Sequence, residues 1–175
     1  MPKKSGFTLV ELLVVISIIA ILSAIGLTMY SVAQKSARIA KRIADLRSIQ
    51  TALELYYNVN RSYPSAATGW RSQCGGWGTY SPENVIPGLT PQYLVAMPAD
   101  PAMDIGNSRS CYIYRSENGT GYKVLDHGIA EFTSADYQSQ RNLIDPARDG
   151  GPDNCVVDGT NIGSWAVYTY EDRCY

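Results

Sequence analysis

This sequence has a single histidine, no closely spaced cysteines and almost no proline in its first third. His127 is the only histidine among the 175 residues. No Cys-x-x-Cys pair occurs either, which argues against a zinc site and against attached haem. His127 lies between Asp126 and Gly128 with no serine or cysteine nucleophile identifiable beside it, so we interpret it as a surface turn residue rather than a general base. The sequence contains no catalytic constellation, and we predict that the protein is not an enzyme.

Proline is missing from nearly all of the first third of the chain, and charge is scarce before Lys35. No proline occurs between Pro2 and Pro64, and Glu11 is the only charged residue from Gly6 until Lys35. The apolar run at 8–29 exceeds the ~20 residues that a helix needs to cross a bilayer core. After it, apolar residues recur in steps of three and four along one helix face: Ile39, Ile43, Leu46, Ile49, Leu53 and Tyr56. The pattern predicts one helix over residues 7–58.

Glu11 is costly inside such a run, because a carboxylate at mid-membrane costs roughly 2.5–3.5 kcal/mol on insertion scales. An acid tolerated there is a candidate functional residue, and its partner should be a cation that arrives after insertion. An amino terminus created at Phe7 would supply that cation. A plain membrane anchor explains neither Glu11 nor Gly6, and an ordinary secretory leader would be cleaved after the apolar region.

The run Lys3-Lys4-Ser5-Gly6, followed by Phe7-Thr8-Leu9-Val10-Glu11 and the apolar segment, resembles the leader and N-terminus of type IV pilins and type II secretion pseudopilins. The resemblance implies that a membrane aspartyl peptidase cuts after Gly6 and methylates the new amine of Phe7. It also implies that Glu11 neutralises the N-terminal amine of a neighbouring subunit during assembly. We therefore expect a structural filament subunit. The alternatives are a membrane-tethered enzyme and an adhesion or DNA-uptake minor pilin whose head is a binding module.

The same resemblance implies the partners and the location. The partners would be copies of the chain and other pilin-like subunits, a prepilin peptidase and an inner-membrane assembly platform. The precursor would be a single-pass protein of the inner membrane with its head outside the cytoplasm, and the filament would be periplasmic or extracellular. Nucleic acid is not expected, because phosphate binding needs clustered cations and residues 58–175 carry eight basic against thirteen acidic side chains. A basic cluster follows the apolar run instead: Lys35, Arg38, Lys41, Arg42 and Arg47.

Beyond the helix, the sequence predicts a long loop and then a small sheet. Residues 64–111 are interrupted by prolines and glycines, with one short helix expected around 91–95, and their runs at 89–94 and 97–101 resemble a pseudopilin segment. Runs at 111–115, 122–125 and 165–170 predict strands, the first two joined at 118–121 as a hairpin. The predicted fold is α+β, a long N-terminal helix packed on a small antiparallel sheet. We expect a leader at 1–6, a transmembrane and assembly helix at 7–30, its amphipathic half at 31–60 and a head at 61–175.

Four cysteines lie in the predicted head: Cys74, Cys111, Cys155 and Cys174. An even number beyond a membrane anchor indicates disulfides in an oxidising compartment, although four cysteines allow three pairings. We favour Cys74–Cys111, which would tie the long loop to the first strand, and Cys155–Cys174, which would close the last loop. Free buried thiols are the remaining alternative.

Four aspartates share one glycine-rich loop: Asp145, Asp149, Asp153 and Asp158. Carboxylate oxygens on a flexible loop can hold calcium, and the resemblance to major pseudopilins, which bind calcium in a late loop, supports a calcium hypothesis. The spacing is not that of an EF-hand, and solvated turn aspartates are the alternative that we prefer. No other cofactor is expected.

Overall fold

A computed structural model describes residues 6–67, 69–148, 155 and 163–174, apart from the side chain of Thr28. The chain divides into two compact units, Met1–Ala40 and Lys41–Tyr175. One helix, α1, extends over Leu9–Asn60 and contains 52 residues. The proline-free stretch therefore forms a single helix, as predicted, and the chain leaves it at Arg61, whose φ is 58°.

The second unit contains a four-stranded antiparallel sheet. Its strands β1 to β4 are, in chain order, Arg71–Ser72, Cys111–Arg115, Lys123–His127 and Trp165–Tyr168. They lie side by side in that same order. The three predicted strands are thus confirmed with small shifts at their ends. β1 was not predicted, because two residues are too few to show an alternating pattern.

The connections differ from the sequence-based prediction in two places. A second helix, α2, covers Ser134–Gln138 and begins with a capping box between Thr133 and Asp136. Around 91–95 the structure has a hydrogen-bonded turn instead of the expected short helix, with the Tyr93 N–H donating to the Leu89 carbonyl at 2.9 Å. Neither change alters the α+β layout, which is confirmed.

The part of helix α1 that belongs to the second unit, residues 41–60, packs on one face of the sheet. Leu46, Ile49 and Leu53 have no exposed surface. Successive residues of a strand point to opposite faces, and Tyr112 of β2 points to the helix side, where its hydroxyl donates to Asp45 Oδ2 at 2.9 Å. Burial of the phenol and the charge of Asp126 raise the pKa of Tyr112, so this hydroxyl stays protonated and keeps donating.

The opposite face of the sheet is covered by the long loop. Ile113, Leu125 and Ala166 are fully buried there against the disulfide Cys74–Cys111, with Trp70, Trp77 and Met103 packed around them. This predicted disulfide therefore pins the loop across the sheet. The structure also joins Cys155 to Cys174, the second pair that the sequence analysis favoured.

The β2–β3 hairpin meets the end of α1 at Gly119. The Tyr63 N–H donates to the Gly119 carbonyl at 2.8 Å. Gly119 has φ +74°, and a Cβ atom added to it would lie 2.9 Å from the Tyr63 carbonyl oxygen. Only glycine fits this position, since it must combine a left-handed backbone with close approach to another chain segment.

Candidate assembly and processing site

The predicted processing bond joins Gly6 and Phe7, just before α1. Both residues are non-helical and exposed, and Phe7 has 84% of its surface accessible. A Cβ atom on Gly6 would meet no heavy atom within 4 Å. The leader residues Lys3 and Lys4 lie outside the described residues. The bond is therefore accessible to a processing enzyme, and a peptide bond outside a helix can be bound in the extended form that peptidases act on.

Glu11 lies in the first turn of α1, where it forms a capping box with Thr8. Thr8 donates to Glu11 Oε2 from its backbone N–H at 2.8 Å and from its hydroxyl at 2.7 Å. In return, the Glu11 N–H donates to Thr8 Oγ1 at 3.2 Å. This arrangement satisfies two of the N–H groups that a helix start leaves unpaired, and the helix dipole stabilises a carboxylate there. Among the described residues, Oε1 of Glu11 accepts no hydrogen bond, so this oxygen can accept one from a further donor.

The surface around Glu11 is apolar and uncovered. Every large apolar side chain from Phe7 to Val32 is exposed in the isolated chain, the least exposed being Val15 at 46%. By length and composition α1 could cross a membrane, with a mean hydropathy of 2.7 in its most apolar window and none of that window buried. Such a surface must be covered by lipid or by other protein.

Arg42 is completely buried where α1 packs on the head. Its Nε and Nη2 donate to the two oxygens of Asp100 at 2.5 and 3.1 Å. Its Nη1 donates to Glu131 Oε1 at 2.5 Å, and Asp126 Oδ2 lies 3.5 Å from Nε. We call these four residues the Arg42 cluster. It joins α1 to the 97–101 segment, to β3 and to the chain after β3.

Asp126 is the acid of the Arg42 cluster that lacks a full partner. As a carboxylate it would have two buried oxygens that accept no hydrogen bond from the described residues. Burial and then the charge of Asp100 raise the pKa of Asp126 well above its ordinary value, although Arg42 acts in the opposite direction. A carboxylate can only accept hydrogen bonds, so a bond between Asp126 and Asp100 requires a proton on one of them. The cluster therefore favours a protonated, neutral Asp126 beside the Arg42–Asp100 pair.

Of the four aspartates considered as calcium candidates, Asp145 alone is described, and it is not the solvated turn residue that we preferred; the other three, Asp149, Asp153 and Asp158, lie outside the described residues. Asp145 is fully buried, its Oδ1 accepting from Lys123 Nζ at 2.5 Å and its Oδ2 from Arg148 Nη1 at 2.7 Å. Burial lowers the pKa of Lys123, and the charge of Asp145 opposes this shift. Both oxygens of Asp145 thus neutralise buried cations, a role that competes with calcium. Within the described part of the chain, no group of three acidic, histidine or cysteine side chains could hold a metal.

The prediction that His127 lies in a surface turn is wrong. It is the last residue of β3, paired with Cys111 across the sheet. Its ring is half-buried, with its centroid 5.3 Å from that of Trp77. β3 extends through His127 because its partner strand β2 begins at Cys111, which the disulfide fixes.

Several residues at these sites were missed by the sequence analysis. Thr8 could have been found, since threonine followed three residues later by glutamate before an apolar run is the pattern of a capping box. Arg42 also carried a signal, because it lies three residues after Ile39 and four before Leu46, on the apolar face of the helix. The acids that bind Arg42 gave no local signal.

Comparison with known proteins relates the N-terminal residues of this chain to a protein family. Residues 1–27 match the family described as the prokaryotic N-terminal methylation motif, which confirms the resemblance to prepilins. Prepilin peptidase-dependent protein D of Escherichia coli is 47% identical over 55 residues, covering 31% of this chain and 38% of that protein. Type II secretion system core protein G of Pseudomonas aeruginosa is 34% identical over 67 residues, covering 38% of this chain and 47% of that protein.

Fimbrial protein EcpB of Eikenella corrodens is 46% identical over 54 residues, covering 31% of this chain and 34% of that protein. The chain thus spans less than half the length of the curated relatives that it matches. These relatives are fimbrial, secretion-system and prepilin-type proteins rather than enzymes, which agrees with the prediction that the chain is not an enzyme. No solved structure matches the chain.

Proposed function

We propose that this chain is a structural subunit of a type IV pilus-like or type II secretion pseudopilus filament, cleaved after Gly6 and methylated at Phe7. The matched methylation motif and the uncovered apolar half of α1 support the proposal. The observation that carries it is Glu11, the single charge in this apolar surface, held at the helix start with one oxygen free for a further donor.

Cleavage after Gly6 would leave the ammonium group of Phe7 directly before the helix cap at Thr8. In a filament, the ammonium of one copy donates to Glu11 Oε1 of the next, while Oε2 stays in the capping box. Neither charge is then isolated among apolar side chains, where an unpaired ion is strongly unfavourable. The paired helices can leave the lipid and pack against one another through the surface at 7–32.

The precursor and its partners belong to the same proposal. The apolar half of α1 holds the precursor in the inner membrane, with the head outside the cytoplasm, until a prepilin peptidase and an assembly platform act on it. The second half of α1, held in the head by the Arg42 cluster, connects the filament core to the head. Copies of this chain and other pilin-like subunits are the partners of the apolar half.

A substitution at Glu11 tests the assembly role. The Glu11→Val variant is expected to insert into membranes as the wild type does, since an apolar side chain lowers the insertion cost, and to give no filaments. Ser17→Val is the matched control, because it removes another polar group from the apolar segment, one that bonds only its own helix at the Val14 carbonyl (2.8 Å). Sheared filaments and membrane-bound subunits are quantified by immunoblot. Filaments at wild-type yield from Glu11→Val would refute the role of Glu11.

A substitution at Gly6 tests the processing step separately. Gly6→Val should leave the precursor uncleaved, because a branched side chain crowds the bond to be cut, while Gly26→Ala, which places a Cβ in open space, should be cleaved normally. Intact-mass measurement distinguishes the precursor from a product that has lost residues 1–6 and gained one methyl group. Normal cleavage of Gly6→Val would remove the peptidase from the proposal.

A further inference from the structure

A cavity of about 450 Å³ opens beside the end of β3. Its apolar walls are Trp77, Ile129 and Phe132, and its polar side chains include Ser108, Arg109 and His127. The volume is within the range of small-molecule sites, which are concave, mostly apolar and fitted with a few polar groups. None of the proposed assembly steps uses this cavity.

The charge of the cavity is opposite to that of the head. Residues 58–175 carry thirteen acids against eight bases, yet the charged side chain in the described lining is Arg109, and that lining contains no carboxylate. Arg109 is exposed and forms no ion pair with the described residues. The nearby Asp104 is held mainly by Asn107, whose N–H donates to its carboxylate at 3.2 Å and whose Nδ2 donates at 2.6 Å, and the charge of Arg109 is the weakest of the effects that lower the pKa of Asp104. An anion is the ligand that this lining favours.

The rim of the cavity is held in a strained shape. Ser108 and Ser110 have φ values of 56° and 51°, in the left-handed region that non-glycine residues adopt only where the surroundings impose it. Ser108 Oγ accepts from the Gly76 N–H at 2.7 Å. At Gly128 (φ +69°) a Cβ atom would lie 3.6 Å from Arg109 Cγ, so the arginine stem lies against this glycine. Such strain concentrates at binding sites, because it fixes groups in place before the ligand arrives.

We propose that this cavity binds a small organic carboxylate with a flat apolar body. The guanidinium of Arg109 presents two parallel N–H donors that match a carboxylate, and the body packs on the partly exposed rings of Trp77 and Phe132. The head would then carry a ligand site that does not depend on the filament role of α1, so failure of one proposal leaves the other standing.

The test uses the full chain in detergent micelles with 3-phenylpropionate as the probe and 3-phenylpropanol as its neutral counterpart. Amide NMR is expected to show saturable shifts at Gly128 and Ile129 and at the indole N–H of Trp77, with a dissociation constant on the order of millimolar for so small a ligand. The alcohol should bind roughly tenfold more weakly, because it lacks the charge-assisted bond. Absence of saturable shifts, or equal binding of acid and alcohol, would overturn the proposal.

Two variants test whether Arg109 is the group that binds the carboxylate. Arg109→Gln should weaken 3-phenylpropionate binding by roughly tenfold or more and abolish the preference for the acid, whereas Arg47→Gln, which removes an exposed charge from α1, should change neither. Unchanged binding in Arg109→Gln contradicts the proposed site. If Arg109→Gln fails to fold, as its amide spectrum would show, the comparison of acid with alcohol on the wild type decides the question.

Discussion

Replacing Asp126 by asparagine tests whether Asp126 is protonated in the Arg42 cluster. The side chain of Asp126 is fully buried beside Asp100, and Arg42 already makes its two-point contact with Asp100. Asparagine has nearly the same shape and offers an N–H where a protonated aspartate offers an O–H. The variant therefore keeps the shape of the protonated acid and its ability to donate toward Asp100, and it removes only the ability to ionise.

The expected effect is a pH-dependent difference in the free energy of unfolding. Because the folded state raises the pKa of Asp126, the wild type has its full stability below about pH 4, where the unfolded chain is also protonated. As the pH rises toward the folded-state pKa, the unfolded chain gains about 1.4 kcal/mol per pH unit from releasing this proton. Asp126→Asn lacks this term, so its stability relative to the wild type should rise with pH. The gain levels off above the folded-state pKa, so the pH at which it levels off reports that pKa.

Urea unfolding of the full chain in micelles, followed by tryptophan fluorescence from about pH 4 to about pH 8, measures this difference. Asp100→Asn is the control within the same cluster, because it makes the same chemical change to the acid that Arg42 binds at two points. It should lose about 3–5 kcal/mol, as expected when one partner of a buried ion pair is removed. A difference between the wild type and Asp126→Asn that is flat with pH, or that reverses in sign, would refute the protonation of Asp126 in the folded state.

Three further outcomes follow from particular contacts. Thr8→Val should destabilise the first turn of α1 by about 1 kcal/mol, whereas Thr8→Ser should keep its stability. Amide hydrogen exchange in the first turn should therefore be faster in Thr8→Val than in Thr8→Ser, and equal exchange in both variants would contradict the capping box. Gly119→Ala should destabilise the head by about 1–3 kcal/mol in urea unfolding, because the new Cβ meets a backbone oxygen and the backbone is left-handed, and a neutral result would contradict this. Replacing Cys74 and Cys111 together by serine should cost about 4 kcal/mol for a loop of this 37-residue separation, whereas an unchanged urea midpoint would show that the disulfide does not stabilise the fold.

The sequence predicted the elements whose signals are local. Helix α1 was recognisable because no proline interrupts it and its apolar residues keep one period. The strands after residue 110 were recognisable because tyrosine and β-branched residues cluster between turn residues, as at Asn118 and Gly119. Glu11 was recognisable because a lone charge in an apolar run has no local explanation.

The Arg42 cluster could not be predicted in the same way. Arg42 binds Asp100 and Glu131, which are 58 and 89 residues away along the chain. Periodicity shows which face of a helix is buried, but it does not show which distant acid meets a buried base. The misplacement of His127 has a related cause, since the extent of β3 depends on its pairing with β2 rather than on the turn-like residues around His127.

The most direct test of the proposed assembly is a cryo-microscopy structure of a filament that contains this chain. We predict that the chain begins at a methylated Phe7 and that its nitrogen lies within about 2.7–2.9 Å of the Glu11 carboxylate of a neighbouring copy, as in a charge-assisted hydrogen bond. A filament in which residues 1–6 remain attached, or in which the Phe7 nitrogen lies beyond about 4 Å from every Glu11 carboxylate, would contradict the account.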